Sequence, residues 1–459
     1  MAALCCLVAA CGGSAELTPT PPSTATATVA PTATPTPAPT PTPAPLQRPE
    51  ASAFPPALRD EAEAIFAAVA ALRGTPSRGE VDMFLLSRDQ ARAFYGGEED
   101  AGGGSSSTAL PRALDPQDEL YRLLGLVPAR EERSDGQPSQ DRDLRQQSVD
   151  NLVAQITGFY SPDFEAFYML ETIIGGVSGG SARATMAHEF THALQDQYHD
   201  LNALAAARAD DWDAFRALQD VVEGDAIASE SAYLGFTLRS AYRLPVCFRI
   251  PAPARAGVPF VVERELDTWY EDGPCFIEAV TPLLANGVAD VWAALPTTTE
   301  QILHPEKYLA GEAALAVSLP PLMPALGAGW RRLSASSFGE FSLQNLLLLG
   351  LAADRAQVQR AAAGWGGDAW ELYTRGDDRL LAYAVEWDDA GEAREFWAAF
   401  IASLSARSPA PAARPAPEAL TVEIGGGVWR AALVGARVDL VVATDAAAAA
   451  EAAVIIGLP

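Results

Sequence analysis

His188-Glu189-Phe190-Thr191-His192 sets two of the chain's four histidines four residues apart around a glutamate. At that spacing a helix stacks both imidazoles on one face, about one turn apart, where both reach a single tetrahedral cation. Glu189 falls beside that cation rather than on it. Its carboxylate is then placed to take a proton from a cation-activated water and to return one to a leaving amine. The flanking residues supply the helix this needs: SARATMAHEFTHALQDQY, residues 181–198, sets Ala184, Ala187, Phe190, Ala193 and Leu194 among polar positions with no Gly or Pro inside. Gly175-Gly176 and Gly179-Gly180 punctuate the chain just before it. Two histidines and a glutamate on a solvated helix face are the bland alternative.

Two imidazoles leave a zinc-type site one protein ligand short, with the fourth position left to water or substrate. His199 lies seven residues beyond His192 on the same helix, too far along the axis to share the ion, and reads as a surface or capping residue. Glu223 is the favoured third ligand. Residues 214–234, AFRALQDVVEGDAIASESAYL, read as a second helix whose apolar side is interrupted at Glu223-Gly224-Asp225. Asp225, Glu230 and His304 are the other candidates.

The five-residue motif resembles the HExxH signature of the zincin metallopeptidases. A second helix carrying a carboxylate opposite it is similar to the gluzincin branch, which includes the thermolysin-like enzymes. The resemblance implies an α+β fold, a zincin-like domain of mixed sheet plus active-site helices. It also implies one Zn2+ per chain on His188, His192 and Glu223, Glu189 as general base, and a peptide or protein as substrate. The interval from His192 to Glu223 is 31 residues, longer than is usual in that branch, so Leu201–Asp213 is expected as an inserted loop or short helix. Asp196 matches the position from which an aspartate orients a ligand imidazole in the thermolysin-like enzymes; an exposed helix-face charge is the alternative. For the oxyanion donor that zincins draw from a Tyr or His outside the zinc helices, His304 and Tyr270 are favoured over Tyr308. Each of the three also fits a hydrogen-bonded structural role. His304 precedes Pro305 and so sits on extended or turn backbone.

Residues 155–170, QITGFYSPDFEAFYML, read as a hairpin around Ser-Pro-Asp. By resemblance, Phe167–Glu171 is the edge on which substrate adds as a strand. From Asn151 to Leu309 the order of elements resembles a group of secreted bacterial lipoproteins with zincin domains.

The amino terminus bears on location. Val8-Ala9-Ala10-Cys11 fits a bacterial lipobox, in which Cys11 would be lipidated, and residues 1–11 then form a signal segment. The segment is short and has no basic n-region, so the true start is expected upstream. Residues 12–50, dominated by the Thr/Pro/Ala tract Thr18–Pro45, cannot bury a core and form an extended spacer. The expected place is outside the cytoplasm, anchored to the bacterial cell membrane through the lipid alone. No run of 18 or more apolar residues follows, and Asn345–Ala353 reads as a core helix. Cys247 and Cys275 are then left to form one disulfide, with two free thiols as the alternative. A net charge of −27 argues against nucleic acid and anionic membrane as direct ligands.

Beyond the spacer, residues 51–333 are assigned to the zincin-like domain and 334–459 to a small α+β accessory domain. Expected elements are a helix at Pro56–Arg73, a strand at Val81–Leu86, a flexible loop at Glu98–Ser107, and in the tail helices at 338–353 and 391–404. Strands are expected at 380–387, 420–424, 428–434 and 437–443, with an Ala-rich helix last. Trp365-Gly366-Gly367-Asp368 reads as a turn ahead of a strand through Tyr373. Two non-peptidase readings stand beside the enzyme: an inactive zincin-like scaffold that binds envelope proteins or peptides, and glycan binding by the tail.

Overall fold

Pro56 at the first helical position and Gly74 in the left-handed region just past the end bracket helix α1 (Pro56–Arg73), and the Gly74 N–H closes onto Ala70 and Ala71 carbonyls. α1 lies over a four-stranded sheet in the computed structural model, which describes residues 48–96, 115–128, 153–154, 156–174, 180–236, 247–251, 258–408 and 418–459. Cys11, the spacer up to residue 47 and the 98–107 loop lie outside the described residues. The strands are β1 (Ser52–Ala53), β2 (Asp82–Leu86), β3 (Gly158–Ser161) and β4 (Ala166–Leu170), in the order β1-β2-β4-β3. β3 and β4 form the antiparallel hairpin around Ser161-Pro162-Asp163, with Tyr160 opposite Phe167. β2 pairs with the other side of β4 in parallel. This corrects the expected edge: Phe167–Leu170 falls on an interior strand, Glu171 begins a short helix, and among the described residues β3 is the outer strand.

Alternation along these strands divides two cores. Tyr160, Phe167 and Met169 pack with α1 and helix α4 (Gly180–His199) through Ile65, Phe66, Met186 and Phe190. Phe159, Tyr168 and Leu170 face the other way, towards Trp269 and helix α2 (Arg88–Gly96), where Phe94 stacks on Phe159 at 5.2 Å. Helix α3 spans Pro116–Leu124, capped by Asp115.

Helix α5 (Trp212–Tyr233) starts where the Asp211 carboxylate accepts from Ala214 N–H. Between α4 and α5 the long interval holds a short helix, Leu201–Ala206. α5 packs on helix α6 (Phe260–Val280) at a glycine crossing, where a Cβ on Gly224 would stand 2.4 Å from the carbonyl carbon of Gly273. Only residues without side chains allow this backbone approach. The sulfurs of Cys247 and Cys275 are bonded, tying the chain before α6 to its last turns. No described helix is long and apolar enough to cross a membrane.

Residues 331–443 hold a six-stranded antiparallel sheet, β5 (Arg331–Ser336), β6 (Trp365–Arg375), β7 (Asp378–Trp387), β8 (Ala419–Ile424), β9 (Gly427–Val434) and β10 (Arg437–Ala443), in the order β5-β6-β7-β10-β9-β8. Helices α7 (Gly339–Leu351) and α8 (Ala390–Arg407) cover one face, and α9 (Ala446–Ile456) covers the other. Mixed α+β architecture holds in both units.

Two boundaries differ from the sequence reading. Trp365-Gly366-Gly367-Asp368 lies inside β6 at a bulge instead of in a turn. Trp365 and Asp368 are buried there, and Asp368 accepts from Phe338 N at 2.6 Å and Gly339 N at 2.9 Å, capping the start of α7. The tail also begins before Ser334 and does not stand apart. Leu322, Leu326 and Trp330 share the α9 core, while Leu120 and Leu124 of α3 share the core under α7 and α8. Glu119 of α3 receives Arg379 of β7 at 2.5 Å.

Candidate metal centre

α4 is buried on every side from Thr185 to Gln195. Ala187, Phe190, Ala193 and Leu194 pack towards α1 and the sheet, which turns His188, Glu189 and His192 to α5 and β3. His188 Nε2 stands 3.1 Å and His192 Nε2 3.7 Å from the same oxygen, Glu223 Oε2. One ligand atom from each of the three residues lies within 4.8 Å of the others, the span of donors around one cation. Both imidazoles are 0 % exposed and Glu223 is 2 % exposed, so the cluster excludes bulk water.

The surrounding groups leave one ligand atom unsatisfied among the described residues. Buried His192 Nε2 has no hydrogen-bond partner, although burying such a group unpaired costs about 1–3 kcal/mol. Burial would raise the Glu223 carboxyl, yet the two imidazoles pull it down to about 2. Burial works against charge on His188 too, but Glu223 and Glu230 outweigh it and hold that imidazole well above its ordinary range. Two imidazoles and a carboxylate are the donor set of a three-ligand zinc site.

Around the ligands, Gln195 Oε1 lies 2.8 Å from His192 Nδ1. Glu230 Oε2 lies 3.3 Å from His188 Nδ1, a charge contact without hydrogen-bond alignment. Sequence reasoning weighed Glu230 as a ligand and overlooked Gln195, whose signal was an amide three residues after His192 on the motif's own helix. Asp196 does not touch an imidazole, which corrects the orienting role expected of it. One oxygen takes Leu201 N–H at 2.9 Å from the turn after α4, and the other takes the Tyr160 hydroxyl at 2.8 Å, while Gln195 serves His192. Asp225 is engaged by Arg73 at 2.6 Å and by Trp292 Nε1 at 2.9 Å, so it is spoken for as a ligand.

Glu189 is fully buried beside the ligands. Its Oε2 accepts from Tyr160 N–H of β3 at 2.7 Å, whereas Oε1 has no hydrogen-bond partner among the described residues. Burial pushes this carboxyl up to about 7, against the pull of His188 and His192.

The remaining candidates are dispersed. His199 stacks on Trp292 at 4.4 Å. His304 sits between two short helices with Nε2 3.0 Å from Glu340 of α7, and burial there is outweighed by Glu340, which raises its pKa. The adjoining helix, Thr299–Leu303, meets α5 at Asp213, ten residues from Glu223 and so about 15 Å along the helix axis. His304 is thus kept at the contact with α7, away from the ligand cluster. Tyr308 donates to the Ala294 carbonyl at 2.9 Å. Tyr270 of α6 packs against the aromatic group of Phe159, Tyr168 and Trp269. A second carboxylate trio, Glu300, Glu312 and Asp388, is already filled: Lys307 Nζ lies 2.6, 2.8 and 2.7 Å from its three members.

Among known proteins, residues 326–453 match a family described as a domain of unknown function (DUF8575). That stretch is the six-stranded unit and excludes His188, Glu189, His192 and Glu223. No curated protein and no solved structure matches the chain.

Proposed function

We propose that the chain is a zinc-dependent peptidase of zincin type, lipid-anchored outside the cytoplasm, with residues up to the six-stranded unit as its catalytic part. His188, His192 and Glu223 would hold the ion. When bound, Zn2+ would supply Lewis acidity towards water and towards the scissile carbonyl. Glu189 Oε2 is pinned by Tyr160 N–H, which leaves Oε1 as the atom that takes the proton of the attacking water and returns it to the leaving amine. β3 is the outer strand beside Glu189 and would border an extended peptide, and Tyr270, which packs on the sheet face turned away from α4, is the oxyanion donor to test once His304 is given to Glu340.

The observation that carries this reading is the partnerless Oε1 of a buried glutamate beside three ligand-competent side chains. A metal kept only for stability needs the three ligands and has no use for a desolvated base. Complete burial of the ligands favours the second reading, a zincin-like scaffold that binds envelope proteins or peptides around a structural metal. One experiment separates the two. Glu189→Gln should keep zinc, measured by elemental analysis, and lose at least about 100-fold in hydrolysis of a casein or mixed-peptide substrate. His188→Ala and Glu223→Ala should lose the zinc. Undiminished hydrolysis in Glu189→Gln, or wild-type protein that takes up no supplied zinc, would overturn the peptidase; zinc without any hydrolysis across broad substrates would favour the scaffold.

A further inference from the structure

The Gln195 amide is oriented from behind. Its Nε2 donates to the Val222 carbonyl at 3.0 Å and to Asp225 Oδ2 at 2.9 Å. The carbonyl can only accept. Asp225 also receives Arg73 NH1 at 2.6 Å, Arg73 NH2 at 2.8 Å and Trp292 Nε1 at 2.9 Å, so its oxygens face donors from three elements. Turning the amide over would set its oxygen against a carbonyl and a carboxylate and forfeit both hydrogen bonds. Oε1 therefore faces His192 Nδ1 at 2.8 Å, where the ring must present an N–H. In the neutral imidazole that leaves Nε2 bare, and Nε2 is the buried atom without a partner on the ligand cluster.

We infer that Arg73, Asp225 and Gln195 form a relay that fixes the metal-binding tautomer of His192, which makes Arg73 of α1 a positioning residue for the centre. The relay's role in metal binding rests on the zinc reading above; the tautomer it imposes does not. Arg73 is 152 residues from Asp225, so the relay couples the docking of α1 to the ligand geometry. Groups behind a ligand histidine typically change metal affinity by about 10–100-fold.

The test uses the full chain with 15N-labelled histidine, in which four imidazoles are assignable by single substitutions. Nitrogen shifts of the metal-free protein at about pH 9, above the ordinary imidazole range, report the tautomer. Chelator competition reports zinc affinity. Wild-type His192 should be protonated at Nδ1. Asp225→Asn gives position 225 a donor for a turned amide oxygen, and Arg73→Gln strips the Asp225 carboxylate of its cation, so with the Val222 carbonyl still opposing the turn both should admit some of the Nε2–H tautomer and weaken zinc by about 10–100-fold. Gln195→Leu, which removes the acceptor from His192 Nδ1, should let both tautomers appear. An Nε2–H tautomer in wild type overturns the relay. So does wild-type tautomer and zinc affinity within twofold in both Asp225→Asn and Arg73→Gln. Should those two fail to fold, judged by circular dichroism, an exclusive Nδ1–H form retained in Gln195→Leu overturns it equally. A wild type that binds no zinc but shows the fixed tautomer would sink the peptidase and leave the relay standing.

Discussion

Replacing Gly224 with alanine probes how a helix crossing holds the proposed metal centre. The new methyl would sit 2.4 Å from Gly273 C, 2.5 Å from its oxygen and 2.9 Å from Pro274 N. Carbon contacts become favourable only near 3.5 Å, so α5 and α6 must part by about 1 Å. No rotamer change relieves the clash, because a methyl has none and the opposing atoms are main chain inside a helix. Overpacking of this kind costs about 1–3 kcal/mol, and two rigid backbones put Gly224→Ala at the upper end, about 3 kcal/mol. The displacement reaches the adjacent residue, Glu223, whose Oε2 now lies 3.1 Å from His188 Nε2. Misplacing one ligand by about 1 Å should weaken zinc by tenfold or more. Urea denaturation with zinc measured after chelator dialysis reads both effects, and Gly327→Ala, where a Cβ meets nothing within 4 Å, is the control. Gly224→Ala within about 0.5 kcal/mol of wild type and with full zinc would refute the crossing as the device that places Glu223.

Other substitutions read other parts of the structure. Burial pushes the Asp213 carboxyl up to about 8 in spite of hydrogen bonds from Thr299. A raised acid stabilises the fold fully below its unfolded value of 3.8 and loses that contribution as pH rises through 8, so Asp213→Asn should match wild type near pH 4 and melt higher near pH 8; a constant difference across that window would count against a buried, titrating Asp213. Removing the Cys247–Cys275 bond by paired serine substitution frees a loop of 28 residues' separation and should cost about 3–4 kcal/mol in denaturant unfolding. An unchanged midpoint would mean that the link constrains little of the unfolded chain. Glu340→Gln should lower the pKa of His304, seen in its proton shifts, since Glu340 is what raises it; an unmoved titration would show that the pairing is not made in solution.

The pairing of His188 with His192 was legible because its geometry is local. Four residues on a helix bring two imidazoles to one face whatever the rest of the chain does, and the uninterrupted pattern of 181–198 was enough to infer α4. Glu223 was nearly as readable, since a carboxylate on the apolar side of a helix needs a partner. Gln195, Asp196 and Trp365–Asp368 were not, and each fails for the same reason. Helical spacing makes Asp196 as good a neighbour to His192 as Gln195, and the choice falls to Tyr160 and Leu201, which claim both Asp196 oxygens. Composition makes Trp-Gly-Gly-Asp a turn, and it is the start of α7, 30 residues earlier, with Trp365 and the Tyr383 hydroxyl, that gives Asp368 the donors that justify burying it in a strand.

Edge position depends on distant chain in the same way. The hairpin of β3 and β4 follows from its own residues, but which of the two lies outermost was decided by β2, which pairs with β4 from about 80 residues upstream. The same rule bears on the metal centre. Ligand identity is written in short windows, whereas tautomer, ligand spacing and the outer strand are set by Arg73, Gly273 and β2, all outside those windows. Zinc affinity in this chain should therefore respond to substitutions in α1 and α6 that no motif would single out, and substitutions on the solvated face of α1, such as Glu63→Ala, should leave it unchanged.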